Sequence, residues 1–167
     1  MTDPVLAKVF KASADLLEAA KAAGVTVGVA ESCTGGLLGA AITAMPGSSA
    51  VFAGGYITYS NDLKHRLLGV SNYSLQKHGA VSEAVAEQMA EGARNALRVD
   101  IAVSITGVAG PGGGSDEKPV GTVCFGLATA NGTTTSRELF EGHSRNRVRD
   151  HAVIHALAML RETVREA

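Results

Sequence analysis

The sequence has few cysteines, no tryptophan and almost no net charge. Its two cysteines, Cys33 and Cys124, are too few to suggest the disulfide framework of a small secreted scaffold. A formal charge of −1 argues against a basic nucleic-acid-binding surface. No apolar run approaches the length that spans a membrane, and the chain does not open with the charged and apolar regions of a signal peptide. We therefore expect a cytoplasmic protein that binds neither nucleic acid nor a membrane.

Small residues take the place of aromatic ones. Aromatic residues make up 4% of the chain, whereas 20 of its 167 residues are glycine, and the apolar fraction of 46% is ordinary for a soluble globular protein. Small side chains let helices and strands pack closely, and glycine serves turns that need a positive φ. The length is sufficient to bury a core, and no interdomain linker is evident. Residues 1–167 are therefore predicted to form a single domain.

Helical and strand patterns alternate along the chain. Asp3-Pro4 is typical of a helix start, Gly24 of a helix end, and Asn131-Gly132 of a hairpin turn. The other predicted elements are buried strands at 25–30, within 51–60 and at 100–106, hairpin strands at 120–130 and 133–140, a helix from about 35 to 44, and helices capped by Asn61, Ser71, Ser82 and Ser144. This order predicts an α/β fold, a three-layer α/β/α sandwich with a mixed, mostly parallel sheet and one C-terminal hairpin.

Three polar or glycine-rich segments follow predicted strands. They are residues 30–36, 58–65 and 106–115. In open α/β sheets, ligands bind beyond the carboxyl ends of the strands. We therefore expect the three segments to meet and to form a binding or catalytic site.

The first of these segments reads Ala30-Glu31-Ser32-Cys33-Thr34-Gly35-Gly36. One interpretation is that Ser32 or Thr34 caps the following helix and that the glycines make a tight turn. A cap does not need so many polar side chains together, and a turn from strand to helix also aims N–H groups at a phosphate or an oxyanion. Ser32 and Cys33 are both candidate nucleophiles, and each requires a base or a lowered pKa.

The second segment contains Tyr59 and Lys64. Lys64 is either an exposed helix lysine or a cleft residue whose pKa is lowered by desolvation, so that it can accept a proton from a serine. Tyr59 either packs in the core or donates a hydrogen bond to a reacting group. The residues alone leave both pairs of alternatives open.

The third segment begins with Thr106-Gly107 and continues as a glycine-rich loop. It matches neither a P-loop nor a dinucleotide-binding fingerprint, so it is either a flexible surface loop or a backbone nest for an anionic group. Arg145 follows Ser144 at the start of the last predicted helix. A cation there is contrary to the helix dipole, and a phosphate or carboxylate partner would explain it.

Histidines raise the alternative of a metal site. His151 and His155 lie four residues apart on one predicted helical face, but neither a metalloprotease glutamate nor a third ligand is evident. A surface or core role is therefore favoured over zinc binding. Cys124 lies within a predicted strand and is interpreted as a small core residue.

Four ordered motifs resemble the CinA C-terminal domain family. They are AESCTGG at 30–36, GGYITYSNDLKHRLLGV at 54–70, HGAVSEAVAEQMAEGA at 78–93 and SITGVAGPGGGSDEKPVGTV at 104–123. The resemblance covers about residues 5–160 and implies a nicotinamide-nucleotide amidohydrolase, also called a nicotinamide mononucleotide deamidase. Many family members carry an additional N-terminal domain, for which 167 residues leave no room, so the stand-alone form is expected.

The resemblance implies hydrolysis of the carboxamide of nicotinamide mononucleotide to nicotinic acid mononucleotide and ammonia, in pyridine nucleotide recycling. It assigns Ser32 as nucleophile, Lys64 as base and Tyr59 as an assisting residue, with no metal and no cofactor. The residues predicted to bind substrate are Glu31, Cys33, Thr34, Gly35, Thr106, Gly107 and Arg145. Because domains of this kind often pair, we also expect a homodimer.

Three alternatives belong to other classes. A non-catalytic nucleotide-binding regulatory module would explain the glycine-rich turns without an acid–base pair. A cysteine hydrolase would use Cys33, which lies in the same turn as Ser32. A zinc enzyme would be built on His151 and His155.

Overall fold

The computed structural model describes residues 3–167. The helices are α1 (Pro4–Ala23), α2 (Leu37–Thr43), α3 (Asn61–Leu68), α4 (Asn72–His78), α5 (Glu83–Leu97) and α6 (Arg145–Glu166), and a short 3₁₀ turn covers Ser48–Ala50. The strands are β1 (Val27–Glu31), β2 (Phe52–Ile57), β3 (Ile101–Gly107), β4 (Thr122–Thr129) and β5 (Gly132–Leu139). No helix in the described part of the chain combines the length and the hydropathy of a membrane span.

The described strands form one mixed sheet in the order β2-β1-β3-β4-β5. β1 pairs in parallel with both β2 and β3, whereas β3 with β4 and β4 with β5 are antiparallel. Only β4 therefore runs against the other described strands, and it forms the predicted hairpin with β5. Helices α1, α2 and α6 cover one face of the sheet, and α3, α4 and α5 cover the other. The predicted three-layer α/β/α fold is confirmed.

Small residues let α5 lie close to its face of the sheet. Gly126 of β4 meets the backbone of Ala86 in α5 so closely that an added Cβ would collide with it. Gly92 of α5 is equally close to the carbonyl of Leu68 at the end of α3. Larger side chains at these positions would force the layers apart, because protein interiors are packed without spare volume. The close packing of this layer accounts for part of the high glycine content.

Capping residues begin most helices where the sequence predicts them. Ser71, Ser82 and Ser144 each accept a hydrogen bond from the N–H three residues ahead. The prediction that Asn61 caps α3 is wrong. Ser60 is the cap, and its Oγ accepts from the Leu63 N–H at 3.2 Å.

An aspartate joins the amino-terminal edges of the two central parallel strands. The carboxylate of Asp100, just before β3, accepts hydrogen bonds from the Thr26 N–H at 2.8 Å and the Thr26 hydroxyl at 2.7 Å. These two bonds lower the pKa of Asp100. They also fasten the start of β3 to the start of β1, whose residues pair from Val27 with Ile101 onward.

Candidate active site

The predicted site lies at the carboxyl ends of β1, β2 and β3. Ser32 follows β1 directly, and its N–H donates to the Ile105 carbonyl of β3 at 2.9 Å. The Thr58 N–H, just after β2, donates to the Glu31 carbonyl at 2.9 Å. The first two polar segments therefore sit side by side, because their strands are neighbours in the sheet.

Lys64 reaches back from α3 to Ser32. Its Nζ lies 2.8 Å from Ser32 Oγ, 2.7 Å from the Thr58 carbonyl oxygen and 3.2 Å from the Tyr59 carbonyl oxygen. The two carbonyls can only accept, so they hold two N–H groups of the amine. The remaining position on the nitrogen faces Ser32. In the neutral amine this position is the lone pair, and it is aimed at the serine hydroxyl.

Burial makes the neutral form of Lys64 accessible. The residue is 1% exposed, and no carboxylate within residues 3–167 forms an ion pair with it. Desolvation disfavours the charged amine and lowers the pKa of Lys64 to about 8. At pH 7 roughly one molecule in ten then carries a neutral Lys64, against roughly one in three thousand at the ordinary pKa. This lysine can therefore accept a proton near neutral pH.

The turn after β1 is capped by Glu31. Its buried carboxylate accepts from the N–H groups of Gly36 at 3.1 Å, Leu38 at 3.1 Å and Gly39 at 2.9 Å. The interpretation in which Ser32 or Thr34 caps α2 is therefore wrong. A carboxylate at a helix start also suits the helix dipole. A contact between Glu31 and substrate stays a prediction.

Most N–H groups of this turn are already bonded. Besides the three that donate to Glu31, the Gly35 N–H donates to the Ser32 carbonyl and the Leu37 N–H to the Thr34 carbonyl, each at 3.1 Å. The N–H groups of Cys33 and Thr34 have no acceptor among the residues that the structure describes. Cys33 is 6% exposed and Thr34 is fully buried, so these two unbonded N–H groups lie at a largely buried position beside Ser32.

The Cys33 thiol is not activated as a nucleophile. Burial raises its pKa to about 11, so the thiolate is scarce near neutral pH. The amine of Lys64 contacts the neighbouring Ser32 hydroxyl instead. These observations speak against the alternative of a cysteine hydrolase.

Arg145 links the second and third segments. Its Nη1 donates to the Gly110 carbonyl at 2.8 Å, and its Nη2 donates to the Tyr59 hydroxyl at 3.1 Å. The Tyr59 side chain is 60% exposed, whereas its backbone carbonyl accepts from Lys64. Tyr59 thus contacts the buried amine through its main chain and Arg145 through its side chain.

Thr106 and Gly107 lie at the end of β3. The buried Thr106 hydroxyl donates to the Ala80 carbonyl at 2.8 Å, which joins β3 to the segment before α5. Gly107 lies against β4, where an added Cβ would come within 2.9 Å of the Thr122 carbonyl oxygen. Contacts of both residues with substrate stay predictions.

Sequence reasoning missed two residues of this region. The Thr58 carbonyl holds Lys64, and no sequence signal marks a backbone group of this kind. Arg149 of α6 donates from Nη2 to the Thr34 carbonyl at 3.0 Å. Its spacing of four from Arg145 was an available signal, because residues four apart share a helix face.

The two histidines of the metal hypothesis have separate surroundings. The His151 ring stacks on Phe140 at 5.7 Å between ring centroids, and the His155 ring packs on Phe125 at 4.4 Å. Across residues 3–167, no three side chains of histidine, cysteine, aspartate or glutamate lie together in a way that could hold a metal ion. The structure therefore offers no support for a zinc enzyme on α6.

Comparisons with known proteins agree on one family. The family model described as the CinA C-terminal domain matches residues 10–164. The chain is 52% identical over 161 residues to the nicotinamide-nucleotide amidohydrolase PncC of Escherichia coli (strain K12), covering 96% of this chain and 95% of that protein. It is 55% identical over 140 residues to a CinA-like protein of Synechococcus sp. (strain CC9902), covering 83% of this chain and 33% of that protein.

Solved structures give the same result. The competence/damage inducible protein CihA from Agrobacterium tumefaciens matches with a TM-score of 0.91 and 40% identity, over 95% of this chain and 96% of that one. Fold, sequence motifs and family model therefore coincide along nearly the whole chain. The chain belongs to the CinA C-terminal domain family, as the motifs predicted.

Proposed function

We propose that this protein hydrolyses the carboxamide of nicotinamide mononucleotide to nicotinic acid mononucleotide and ammonia, in pyridine nucleotide recycling. The observation that carries the chemistry is the buried amine of Lys64, 2.8 Å from Ser32 Oγ and without a carboxylate partner in the described part of the chain. The substrate class is supported by the nicotinamide-nucleotide amidohydrolase PncC, which is 52% identical over 96% of this chain.

The proposed reaction begins with attack of Ser32 Oγ on the carboxamide carbon. Neutral Lys64 takes the hydroxyl proton as the new C–O bond forms, and the carbonyl oxygen becomes an oxyanion. The Cys33 and Thr34 N–H groups, which have no acceptor within residues 3–167, are the donors available to that oxygen. Lys64 then returns the proton to the nitrogen as the C–N bond breaks and ammonia leaves.

A second half-reaction regenerates the enzyme. Water attacks the acyl-serine ester, Lys64 accepts one of its protons, and the same proton returns to Ser32 Oγ as the ester bond breaks. The products are a carboxylic acid and free Ser32. No metal or redox cofactor enters this scheme.

Arg145 is the proposed partner of the substrate phosphate. Its guanidinium donates to a hydroxyl and a carbonyl but forms no ion pair within residues 3–167. A guanidinium without a carboxylate can pair with a dianionic phosphate, which would orient the substrate at a distance from the reacting carbon. Glu31, Cys33, Thr34, Gly35, Thr106 and Gly107 complete the proposed substrate-binding set.

Ammonia release from nicotinamide mononucleotide tests the function. We expect ammonia and nicotinic acid mononucleotide in equal amounts, at a rate that a metal chelator leaves unchanged. Binding of the nucleotide in calorimetry without ammonia release would favour the non-catalytic module instead. A rate that is lost with chelator and restored by zinc would contradict the metal-free scheme.

The pH dependence tests Lys64 as the base. Because the amine must be neutral to accept a proton, kcat/KM is expected to rise with pH and to level off above an apparent pKa of about 8. Initial rates of ammonia release between pH 6 and 10 would measure this profile. A kcat/KM that is flat or falls between about pH 7 and 9 would exclude this role for Lys64.

A further inference from the structure

The turn that contains Ser32 is not held by its own side chains. Gly35 and Gly36 adopt left-handed conformations, with φ values of 58° and 98°, which glycine enters without steric cost. The Thr34 hydroxyl is buried and has no hydrogen-bond partner within residues 3–167. The conformation of the turn therefore depends on its backbone hydrogen bonds, on the adjacent Glu31 carboxylate and on groups that reach it from other parts of the fold.

Two charged side chains hold the turn from opposite sides. Glu31 binds the N–H groups at the start of α2, and Arg149 of α6 binds the Thr34 carbonyl. That carbonyl also accepts the Leu37 N–H, so both of its lone pairs are used. Of the two donors to the Thr34 carbonyl, the Leu37 N–H belongs to α2, which follows the turn, and Arg149 comes from α6.

The carbonyl that Arg149 holds belongs to the same peptide plane as the Gly35 N–H. This N–H donates to the Ser32 carbonyl and closes the turn around Cys33 and Thr34. If the plane rotated, the closing bond would break, and the two peptides inside the turn, which carry the Cys33 and Thr34 N–H groups, would lose the bond that fixes their orientation. With glycine on the far side of the plane, little steric resistance opposes such a rotation.

We propose that Arg149 is a positioning residue that locks the Thr34–Gly35 peptide and thereby keeps the Cys33 and Thr34 N–H groups aimed at the reaction oxyanion. The inference rests on the proposed amide hydrolysis, because it needs an oxyanion to form beside Ser32. Preorganised N–H donors matter most in the transition state, where the negative charge develops. Arg149 therefore acts on turnover more than on substrate binding.

The positive charge of Arg149 also favours the oxyanion directly. Its neighbour Arg147 forms ion pairs with Asp3 at 2.7 Å and Asp150 at 3.3 Å, whereas Arg149 has no carboxylate partner within residues 3–167. Burial raises the pKa of the Cys33 thiol, and the charge of Arg149 opposes that rise. The field of Arg149 thus favours negative charge at Cys33, and an oxyanion on the Cys33 N–H lies in the same field.

Steady-state kinetics of Arg149→Gln, Arg149→Lys and Arg149→Ala test the inference, with Arg147→Gln as the matched control. For Arg149→Gln we expect kcat to fall about 10- to 100-fold, with KM for nicotinamide mononucleotide within about 3-fold of wild type. Arg149→Lys recovers part of the loss. Millimolar guanidinium restores part of the kcat of Arg149→Ala, because it can occupy the vacated site. Arg147→Gln keeps the wild-type kcat.

Three results would overturn the inference. They are a wild-type kcat in Arg149→Gln, a raised KM with unchanged kcat, and a loss that guanidinium does not restore. Thermal melting of each variant accompanies the kinetics, so that a folding defect is recognised by a lowered melting temperature, and the kinetic outcomes are read from variants that melt like the wild type. Failure of the proposed function gives a different result, because the wild-type protein then releases no ammonia from nicotinamide mononucleotide. That result would overturn the inference as well.

Discussion

Replacing Ser32 by alanine is expected to lower kcat for nicotinamide mononucleotide by about 10³-fold or more. Loss of a nucleophile removes the covalent route, and only binding and oxyanion stabilisation remain. The substitution deletes one oxygen and leaves the Ser32 backbone, whose N–H donates to the Ile105 carbonyl, in place. The turn should therefore fold as before. Ammonia release, with thermal melting on the same sample, measures both effects.

Two further variants serve as a control and as a test of the alternative nucleophile. Ser49→Ala, in an exposed 3₁₀ turn, is the matched control and should keep the wild-type kcat. Cys33→Ala retains the backbone N–H and is expected to lose far less activity than Ser32→Ala. If Ser32→Ala were active and Cys33→Ala inactive, Cys33 would be the nucleophile.

Replacing Lys64 by methionine is expected to lower kcat by about 10²- to 10⁴-fold, the usual contribution of a general base. Methionine fills a similar volume without an amine, so it removes the proton acceptor with little change in packing. Lys8→Met, at an exposed position on α1, is the matched control. Wild-type turnover in Lys64→Met would refute the assignment of the base.

The same substitution is expected to change how stability depends on pH. The pKa of Lys64 is about 8 in the folded protein against an ordinary value of 10.5, so the unfolded chain binds more protons between these values. The contribution of Lys64 to the free energy of unfolding therefore rises from about pH 8 to about pH 10.5, and its penalty is complete below about pH 8. Lys64→Met removes a penalty of at most about 3 kcal/mol at pH 7, less the cost of leaving two carbonyls without a donor.

Urea unfolding of both proteins measures this difference. The free energy of unfolding of Lys64→Met minus that of the wild type should fall as the pH is raised from about 8 towards 10. A difference that does not change with pH would show that the wild-type lysine keeps its proton state on folding.

Local signals in the sequence were sufficient to predict most of the fold. Serine caps and terminal glycines act over one helical turn, so Ser71, Ser82 and Ser144 mark helix starts without any knowledge of the rest of the chain. The alternation of strands and helices then predicted the layers. The cap of α2 escaped this reasoning because Glu31 precedes its first N–H partner by five residues, and only left-handed Gly35 and Gly36 bring the two together.

The sequence predicted the position of the candidate site in the fold. It did not predict which side chains contact one another there. Polar segments at neighbouring strand ends indicated where a site would form, but the residues alone left open whether Lys64 points into it. The residues alone could not choose between Ser32 and Cys33, because that choice depends on which side chain faces the amine and on the burial of the thiol. The bond between Arg145 and Tyr59 joins residues 86 positions apart, and no local pattern encodes it.

The contact between Asp100 and Thr26 has a mechanical consequence for the chemistry. A strand advances about 3.3 Å per residue, so a slip of β1 against β3 by one residue would carry Ser32 about that far from Lys64 and turn its side chain to the other face. A contact of 2.8 Å tolerates no such slip. The alignment of Ser32 with Lys64 is thus secured in part at the opposite edge of the sheet, by the bonds that Asp100 accepts from Thr26.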